Sequence, residues 1–386
     1  MTTPPQSLTA AEASAQSLAS GAAGPALLHI ELAMTGTGGW ATAHEHIRQV
    51  TAGPVDAAAH TGLFYGAPTV AFLLHTAGAD GKPRYRQAAA TLDRHILHLT
   101  RQRVADANER IDHGENTRFS EYDLLYGLTG IGALLLRHLP GSDTLADLLH
   151  YLVRLTGPHP ADERLPGWWV AHDPDPLLPT PGGHANLGMA HGAAGLLALL
   201  ALATRSGVLV DGQREAIDRL LAWFDTWRQD GPEGPWWPQW LTRDELRTGR
   251  AAQPGPGRPS WCYGTPGIAR ALQLAAIATG DQLRQRAAED ALAGSISAPR
   301  LQLITEPGLC HGAAGLYQTI SRAAHDAANP TLRRQLPALA DRLAQHSSSA
   351  HGDGLLTGSA GLTLALETAR NRQPPRSGWD ACLLIS

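Results

Sequence analysis

The chain has 386 residues, of which 43% are hydrophobic and 17% charged. This composition is typical of a folded globular protein and excludes an intrinsically disordered one. The 31 lysines and arginines and the 35 aspartates and glutamates give a formal net charge of −4. They are spread along the chain without the basic stretch that a nucleic-acid partner would require, so no such partner is expected.

The amino terminus, MTTPPQSLTAAEAS, has no basic segment followed by an apolar stretch, so no secretory signal is predicted. The longest apolar run, from Ala193 to Ala203, is about half of the ~20 residues that a membrane-spanning helix needs. We therefore expect no membrane span and a cytoplasmic location, either free or at the periphery of a membrane-associated complex.

A motif of small residues, Gly-x-x-Gly followed by an apolar run, recurs seven times along the chain, once with Thr69 in place of the second glycine. Its copies begin at Gly21, Gly66, Gly127, Gly192, Gly264, Gly312 and Gly358. Successive copies lie 45, 61, 65, 72, 48 and 46 residues apart, which indicates a unit of about 46 residues with insertions in the middle copies. A unit of this length suits a helical hairpin.

The two halves of each unit differ in character. The runs that follow the motifs are apolar or small on nearly all sides, as in buried helices, whereas segments such as those starting at Tyr85, Gln213 and Thr331 are amphipathic. The first and last copies lack the polar character of solenoid caps. We therefore predict an all-α fold, an α/α toroid of seven inner and seven outer helices that residues 1–386 form as one domain.

Two insertions rich in Pro, Gly and Trp occupy about residues 156–187 and 230–260. Such a composition cannot continue a helix, and long loops in compact domains are often functional. Both insertions directly precede motifs that contain cysteine or histidine. We expect them to wall a cleft at one mouth of the ring.

Aligning the motifs shows that two of the three cysteines hold equivalent positions. The residues two before each first glycine are Ala19, Phe64, Leu125, Ala190, Cys262, Cys310 and Leu356. Equivalent positions in neighbouring hairpins face the same opening, with helix axes roughly 8–10 Å apart, so two thiolates can meet at one ion. His311 can supply a third ligand, and two sulfurs with one imidazole suit zinc with an open fourth position, as in catalytic sites.

The alternative is that Cys262 and Cys310 are small buried hydrophobic residues and His311 a core histidine. The shared repeat position favours the metal site. Cys382 lies outside the register and is interpreted as a thiol without a role.

His191 holds the same position as His311 but follows an alanine. It is therefore expected to face the cleft without binding metal and to carry protons. Asp123, four residues before Gly127, is suited either to orient that imidazole or to cap a helix N-terminus. The residues alone favour neither role.

Two further residues flank Cys262. Arg258 could stabilise an anionic intermediate or a peptide carboxylate, or it could be a solvated loop charge. Tyr263 could donate a proton, or it could line the ring as Tyr65 and Tyr126 are expected to do.

The segments SWCYGTPG, LCHGAAG and AHGAAG within this repeat resemble the lanthionine synthetase C family, the lanthipeptide cyclases. The resemblance extends over all seven motifs. It implies an α/α toroid that holds one zinc ion on Cys262, Cys310 and His311. It also implies catalytic roles for His191, Asp123, Arg258 and Tyr263.

The reaction that the resemblance implies is addition of a peptide cysteine thiol to a dehydroalanine or dehydrobutyrine of the same dehydrated precursor peptide, which forms a thioether ring. A separate dehydratase and a transporter are the further partners implied. Two alternatives remain: a relative that adds glutathione to dehydroamino acids, and a non-catalytic, zinc-containing scaffold that binds peptides. Toroidal glycosidases and terpene cyclases are disfavoured because no acidic residue precedes any of the seven first glycines.

Overall fold

The computed structural model describes residues 8–175, 177–346 and 352–386. Seven helices begin directly after or within the seven glycine motifs and form the inner wall of a ring. These inner helices are α2 (Ala23–Thr35), α4 (Ala67–Thr76), α7 (Leu128–His138), α9 (Ala193–Arg205), α12 (Thr265–Thr279), α15 (Ala313–Asp326) and α17 (Ser359–Asn371). Their residues are buried on almost every side, as their uniformly apolar sequences require.

Each of the first six inner helices is followed by an amphipathic outer helix that packs against it. The outer helices are α3 (Trp40–Val50), α5 (Arg86–Asp112), α8 (Asp143–Leu155), α10 (Gln213–Trp227), α13 (Gln282–Ser295) and α16 (Thr331–Gln345). Short helices complete the set: α1 (Ala10–Ala15), α6 (Phe119–Tyr122), α11 (Arg243–Thr248) and α14 (Ala298–Leu301).

The ring closes on itself. Every inner helix contacts the next one, and α17 contacts α2. Backbone hydrogen bonds also join each turn before an inner helix to the turn of a neighbouring repeat. They run from Leu18 N to Phe64 O, Phe64 N to Leu125 O, Leu124 N to Ala190 O, Ala190 N to Cys262 O, Cys262 N to Cys310 O, Cys310 N to Leu356 O and Leu356 N to Ala19 O. The predicted toroid is confirmed.

The seventh hairpin differs from the predicted pattern of seven outer helices. In the described part of the chain, α17 is followed by a 3₁₀ segment, Trp379–Leu383, rather than by a long outer helix. This C-terminal segment is buried and fills the inside of the ring, where the Trp261 indole donates to the carbonyl of Leu383 at 2.9 Å and Arg270 donates to that of Ile385. Cys382 lies in this segment, fully buried.

The second glycine of the motif is required by a close backbone contact. In five copies, a Cβ atom at this glycine would lie 1.8 to 2.5 Å from the carbonyl oxygen of the residue six positions earlier. Those glycines are Gly130, Gly195, Gly267, Gly315 and Gly361. In the copy with threonine, the Thr69 hydroxyl instead donates to the equivalent carbonyl, that of Leu63, at 2.8 Å. The motif therefore fixes how each turn folds onto its helix.

Replacing Gly315 by alanine is expected to destabilise the protein by about 1–3 kcal/mol, because the new methyl group would collide with the Leu309 carbonyl and force the backbone to shift. Urea denaturation followed by circular dichroism measures the effect. Gly141→Ala is the control, since no heavy atom lies within 4 Å of its Cβ position. Equal stability of the two variants would contradict the explanation of the motif.

The two predicted insertions contain all six short strands of the described residues. The strands are β1 (Pro158–His159), β2 (Asp162–Pro166), β3 (His184–Asn186), β4 (Gln229–Gly231), β5 (Gly234–Trp236) and β6 (Trp240–Thr242). β3 pairs with β6 in antiparallel orientation, with Asn186 opposite Trp240. This pairing joins the two insertions next to the turn that carries His191. No helix of the described residues is both long and apolar enough to span a membrane.

Candidate active site

Cys262, Cys310 and His311 come together at one mouth of the ring. Their ligand atoms all lie within 4.8 Å of one another. The two cysteines lie in neighbouring turns, ahead of α12 and α15, and the bond from Cys262 N to Cys310 O, 3.2 Å long, holds these turns side by side. The equivalent repeat positions thus converge, and the three side chains could hold a metal ion.

The two thiols and the imidazole interact closely. A hydrogen bond with the Cys310 thiol lowers the pKa of Cys262 well below its usual value, and His311 lowers it further. The same hydrogen bond, together with burial, raises the pKa of Cys310. Thiolate character at this position suits a metal ligand, because cysteine binds metals as its thiolate.

Glu306 is a residue of this site that the sequence analysis missed. One of its carboxylate oxygens lies 2.7 Å from Nε2 of His311, and the other accepts a hydrogen bond of 3.2 Å from Arg258. Nε2 of His311 is therefore engaged, which leaves Nδ1 as the nitrogen available to a metal. Burial raises the pKa of Glu306, but the charges of His311 and Arg258 outweigh this effect and lower it overall.

His191 and Asp123 form a hydrogen-bonded pair, with 2.5 Å between Nδ1 of His191 and Oδ2 of Asp123. The Asp123 side chain is fully buried, whereas 15% of the His191 side chain is exposed. The other oxygen of Asp123 accepts from the backbone N–H groups of Tyr126 and Gly127 at 2.7 and 2.9 Å. Asp123 thus contacts the imidazole and holds the turn before α7, but it does not cap that helix, whose N-cap Gly127 has no side-chain cap bond.

Aromatic side chains surround His191. The Phe119 ring stacks on the imidazole at 4.7 Å between centroids, and the Tyr122 hydroxyl donates to the His191 carbonyl at 2.7 Å. Both residues lie in α6, which no sequence pattern indicated. The imidazole is therefore held in two ways: Phe119 covers one face of the ring, and Asp123 bonds to Nδ1.

Tyr263 lies between the two groups of residues. Its ring centroid is 5.9 Å from that of His191, and the charges of Cys262, Cys310 and Asp123 all act on its hydroxyl. Burial raises the pKa of Tyr263, so the hydroxyl is neutral and able to donate a hydrogen bond. The Arg258 side chain is 41% exposed and is paired with Glu306, the residue that also contacts His311.

A comparison with known protein families shows to which family the chain belongs. The sequence profile of the family described as "Lanthionine synthetase C-like protein" matches residues 12–384. The chain belongs to this family. It is similar to "Nisin biosynthesis protein NisC" of Lactococcus lactis subsp. lactis, with 24% identity over 317 residues that cover 79% of this chain and 72% of the relative.

A solved structure titled "Nisin cyclase" has the same fold as this lanthionine synthetase C-like chain. The TM-score is 0.84 at 20% identity, and the alignment covers 97% of this chain and 93% of the other. The helical toroid is thus shown both by the family and by the structural match.

Proposed function

We propose that this lanthionine synthetase C-like protein is a zinc-dependent lanthipeptide cyclase. It would add cysteine thiols of a dehydrated precursor peptide to dehydroalanine or dehydrobutyrine residues of the same peptide, forming lanthionine and methyllanthionine rings. The observation that carries the proposal is a Cys-Cys-His group beside a histidine oriented by a buried aspartate. The names of the two similar proteins, which refer to nisin biosynthesis and to a nisin cyclase, agree with it.

The residues present fit a zinc site. Cys262, Cys310 and Nδ1 of His311 are sulfur and nitrogen donors, which zinc prefers, and three protein ligands would leave one tetrahedral position open. A zinc ion held there would bind the substrate cysteine in that position and favour its thiolate.

His191 would transfer the proton that the addition reaction requires. Because Asp123 engages Nδ1, Nε2 is the nitrogen left to face the substrate. A new bond forms between the thiol sulfur and the β-carbon of the dehydroamino acid, and the proton that the thiol loses is balanced by one gained at the α-carbon. His191 is suited to this proton transfer, since an imidazole held at Nδ1 can accept or donate a proton at Nε2.

Arg258 and Tyr263 would stabilise the charge that develops on the substrate. When sulfur attacks the β-carbon, negative charge builds on the neighbouring carbonyl oxygen as an enolate. A guanidinium and a neutral phenol are both donors that stabilise such charge. The ion pair with Glu306 holds the Arg258 side chain on the metal side of the site.

Replacing Glu306 by glutamine is expected to weaken zinc binding about 10–100-fold, because His311 loses the carboxylate that fixes its orientation and strengthens it as a ligand. Competition with a chromophoric chelator measures the affinity. Glu45→Gln, on the exposed face of α3, is the matched control and is expected to bind zinc as the wild type does. Equal affinities in both variants would exclude this role for Glu306.

A single experiment tests the proposal against the glutathione-adding alternative. The protein is incubated with glutathione and a dehydrated peptide that contains one cysteine. Ring formation removes the free peptide thiol without changing the peptide mass, whereas glutathione addition raises the mass. We expect the first result. Since the reaction begins from a dehydrated peptide, the partners proposed are that precursor, a separate dehydratase that prepares it and a transporter.

A further inference from the structure

A cavity of about 590 Å³ lies toward the C-terminal ends of the inner helices α15 and α17. It is bounded by α15 from Tyr317 onward, by the C-terminal part of α17, by the outer helix α16 and by the chain that follows α17. Because an α-helix rises ~1.5 Å per residue, the lining residues Tyr317 to His325 lie about 6 to 18 Å along α15 from Ala313 at its N-terminal end. None of the lining residues belongs to the candidate active site.

The lining of the cavity is basic. Arg322, Arg333 and Arg372 line it, and Asp341 is the one carboxylate among the lining residues that the structure describes. Arg322 is neutralised by Asp380, with two contacts of 2.6 Å. Within residues 8–175, 177–346 and 352–386, the exposed Arg333 and Arg372 form no ion pair. Arg333 donates to the Ala324 carbonyl at 3.4 Å, and both guanidinium groups keep free donors for an external anion.

Arg372 occupies a backbone position that favours glycine. It follows the last residue of α17 with φ 54° and ψ 26°, in the left-handed region. Glycine commonly ends helices in this conformation, whereas other residues adopt it with strain. An arginine thus stands where the backbone alone would favour a residue without a side chain.

Gln318 and apolar side chains complete the lining. Gln318 is fully buried, and its Nε2 donates to Asp380 at 2.6 Å. Its Oε1 is also buried, so a ligand in the cavity does not reach it. Leu336, Pro337 and Pro375 add apolar surface to the same lining.

We propose that this cavity binds an acidic peptide segment. Carboxylates of the segment would pair with Arg333 and Arg372, and apolar side chains would cover the leucine and proline surface. The volume is within the ~300–1,000 Å³ of ordinary ligand sites. An inorganic anion would satisfy the arginines alone and leave the apolar surface uncovered.

The test measures binding by fluorescence anisotropy of a short labelled peptide in which aspartate and leucine alternate, without cysteine or dehydroamino acids. The same peptide with asparagine for aspartate is the uncharged probe. We expect the acidic peptide to bind the zinc-loaded wild type and the uncharged one to bind about tenfold more weakly or not at all, since hydrogen bonds to charged groups are the stronger ones.

Variants identify the site. Arg372→Gly and Arg333→Gln are each expected to weaken binding about tenfold, and Arg372→Gly should leave the melting temperature unchanged or raise it, because glycine suits that backbone conformation. Arg334→Gln is the matched control: it is the next residue on α16, it is exposed, and its side chain contacts Thr331 of the same helix. It should bind as the wild type does.

Several results would overturn the proposal. These are no binding to the wild type, equal binding of both peptides, binding unchanged in Arg372→Gly and Arg333→Gln, or displacement of the peptide by an equal concentration of inorganic phosphate. Binding lost in Cys310→Ala but kept in Arg372→Gly would place the peptide at the metal centre and would also overturn it. The proposal does not depend on ring formation, which is measured separately.

Discussion

Replacing Cys310 by alanine is expected to remove both the bound zinc and ring formation. The wild type should contain about one zinc per chain, as expected for a site with three protein ligands. The variant keeps Cys262 and His311 alone, and the fixed arrangement of three donors within 4.8 Å is lost. Elemental analysis of the purified proteins measures the zinc, and alkylation of free thiols measures ring formation.

Cys382→Ala is the control for the loss of a cysteine. Cys382 is buried in the C-terminal segment, and burial raises the pKa of its thiol, so it is not suited to bind metal as a thiolate. This variant should retain its zinc. A Cys310→Ala protein that still holds about one zinc per chain would show that the ion binds elsewhere.

Replacing His191 by alanine is expected to lower the rate of ring formation about 10²–10⁴-fold while the zinc content stays at the wild-type level. The imidazole is the group suited to transfer the proton, and it is not one of the three candidate metal ligands. Single-turnover assays on a dehydrated peptide measure the rate, and elemental analysis measures the zinc.

The buried carboxylate of Asp123 loses a partner in this variant, so its thermal stability must be compared with that of the wild type. His98→Ala, on the exposed face of α5, is the control for histidine removal and should keep full activity. A folded His191→Ala protein with undiminished activity would remove His191 from the mechanism. That result would not contradict the proposed metal site or the fold.

The repeat register predicted the ring and the meeting of Cys262, Cys310 and His311 because it reflects a regular physical contact. Each turn before an inner helix bonds to the turn of a neighbouring repeat, so equivalent positions in the sequence are neighbours in space. The second glycine of five of the motifs lies against a backbone carbonyl, which makes the repeat visible in the sequence. His191 and Asp123 meet for the same reason, because the turns that carry them belong to neighbouring repeats.

Other parts of the structure depend on contacts that do not recur from one repeat to the next. Glu306 reaches His311 and Arg258 through an irregular turn, and a lone glutamate in TEPGLCHG carries no pattern that marks it. The pairing of β3 with β6 joins strands of three residues from distant insertions. The burial of the C-terminal segment inside the ring depends on the space that the whole ring encloses, which no local pattern encodes.

The measurement that tests the central claim most directly is the number of free thiols in a peptide with one cysteine and one dehydroalanine after incubation with the zinc-loaded protein. The account predicts that the peptide loses its alkylatable thiol while its mass stays unchanged, because addition of the thiol to the double bond only rearranges atoms. A thiol that persists in the presence of folded, zinc-loaded wild-type protein, at the same level as without protein, would contradict it.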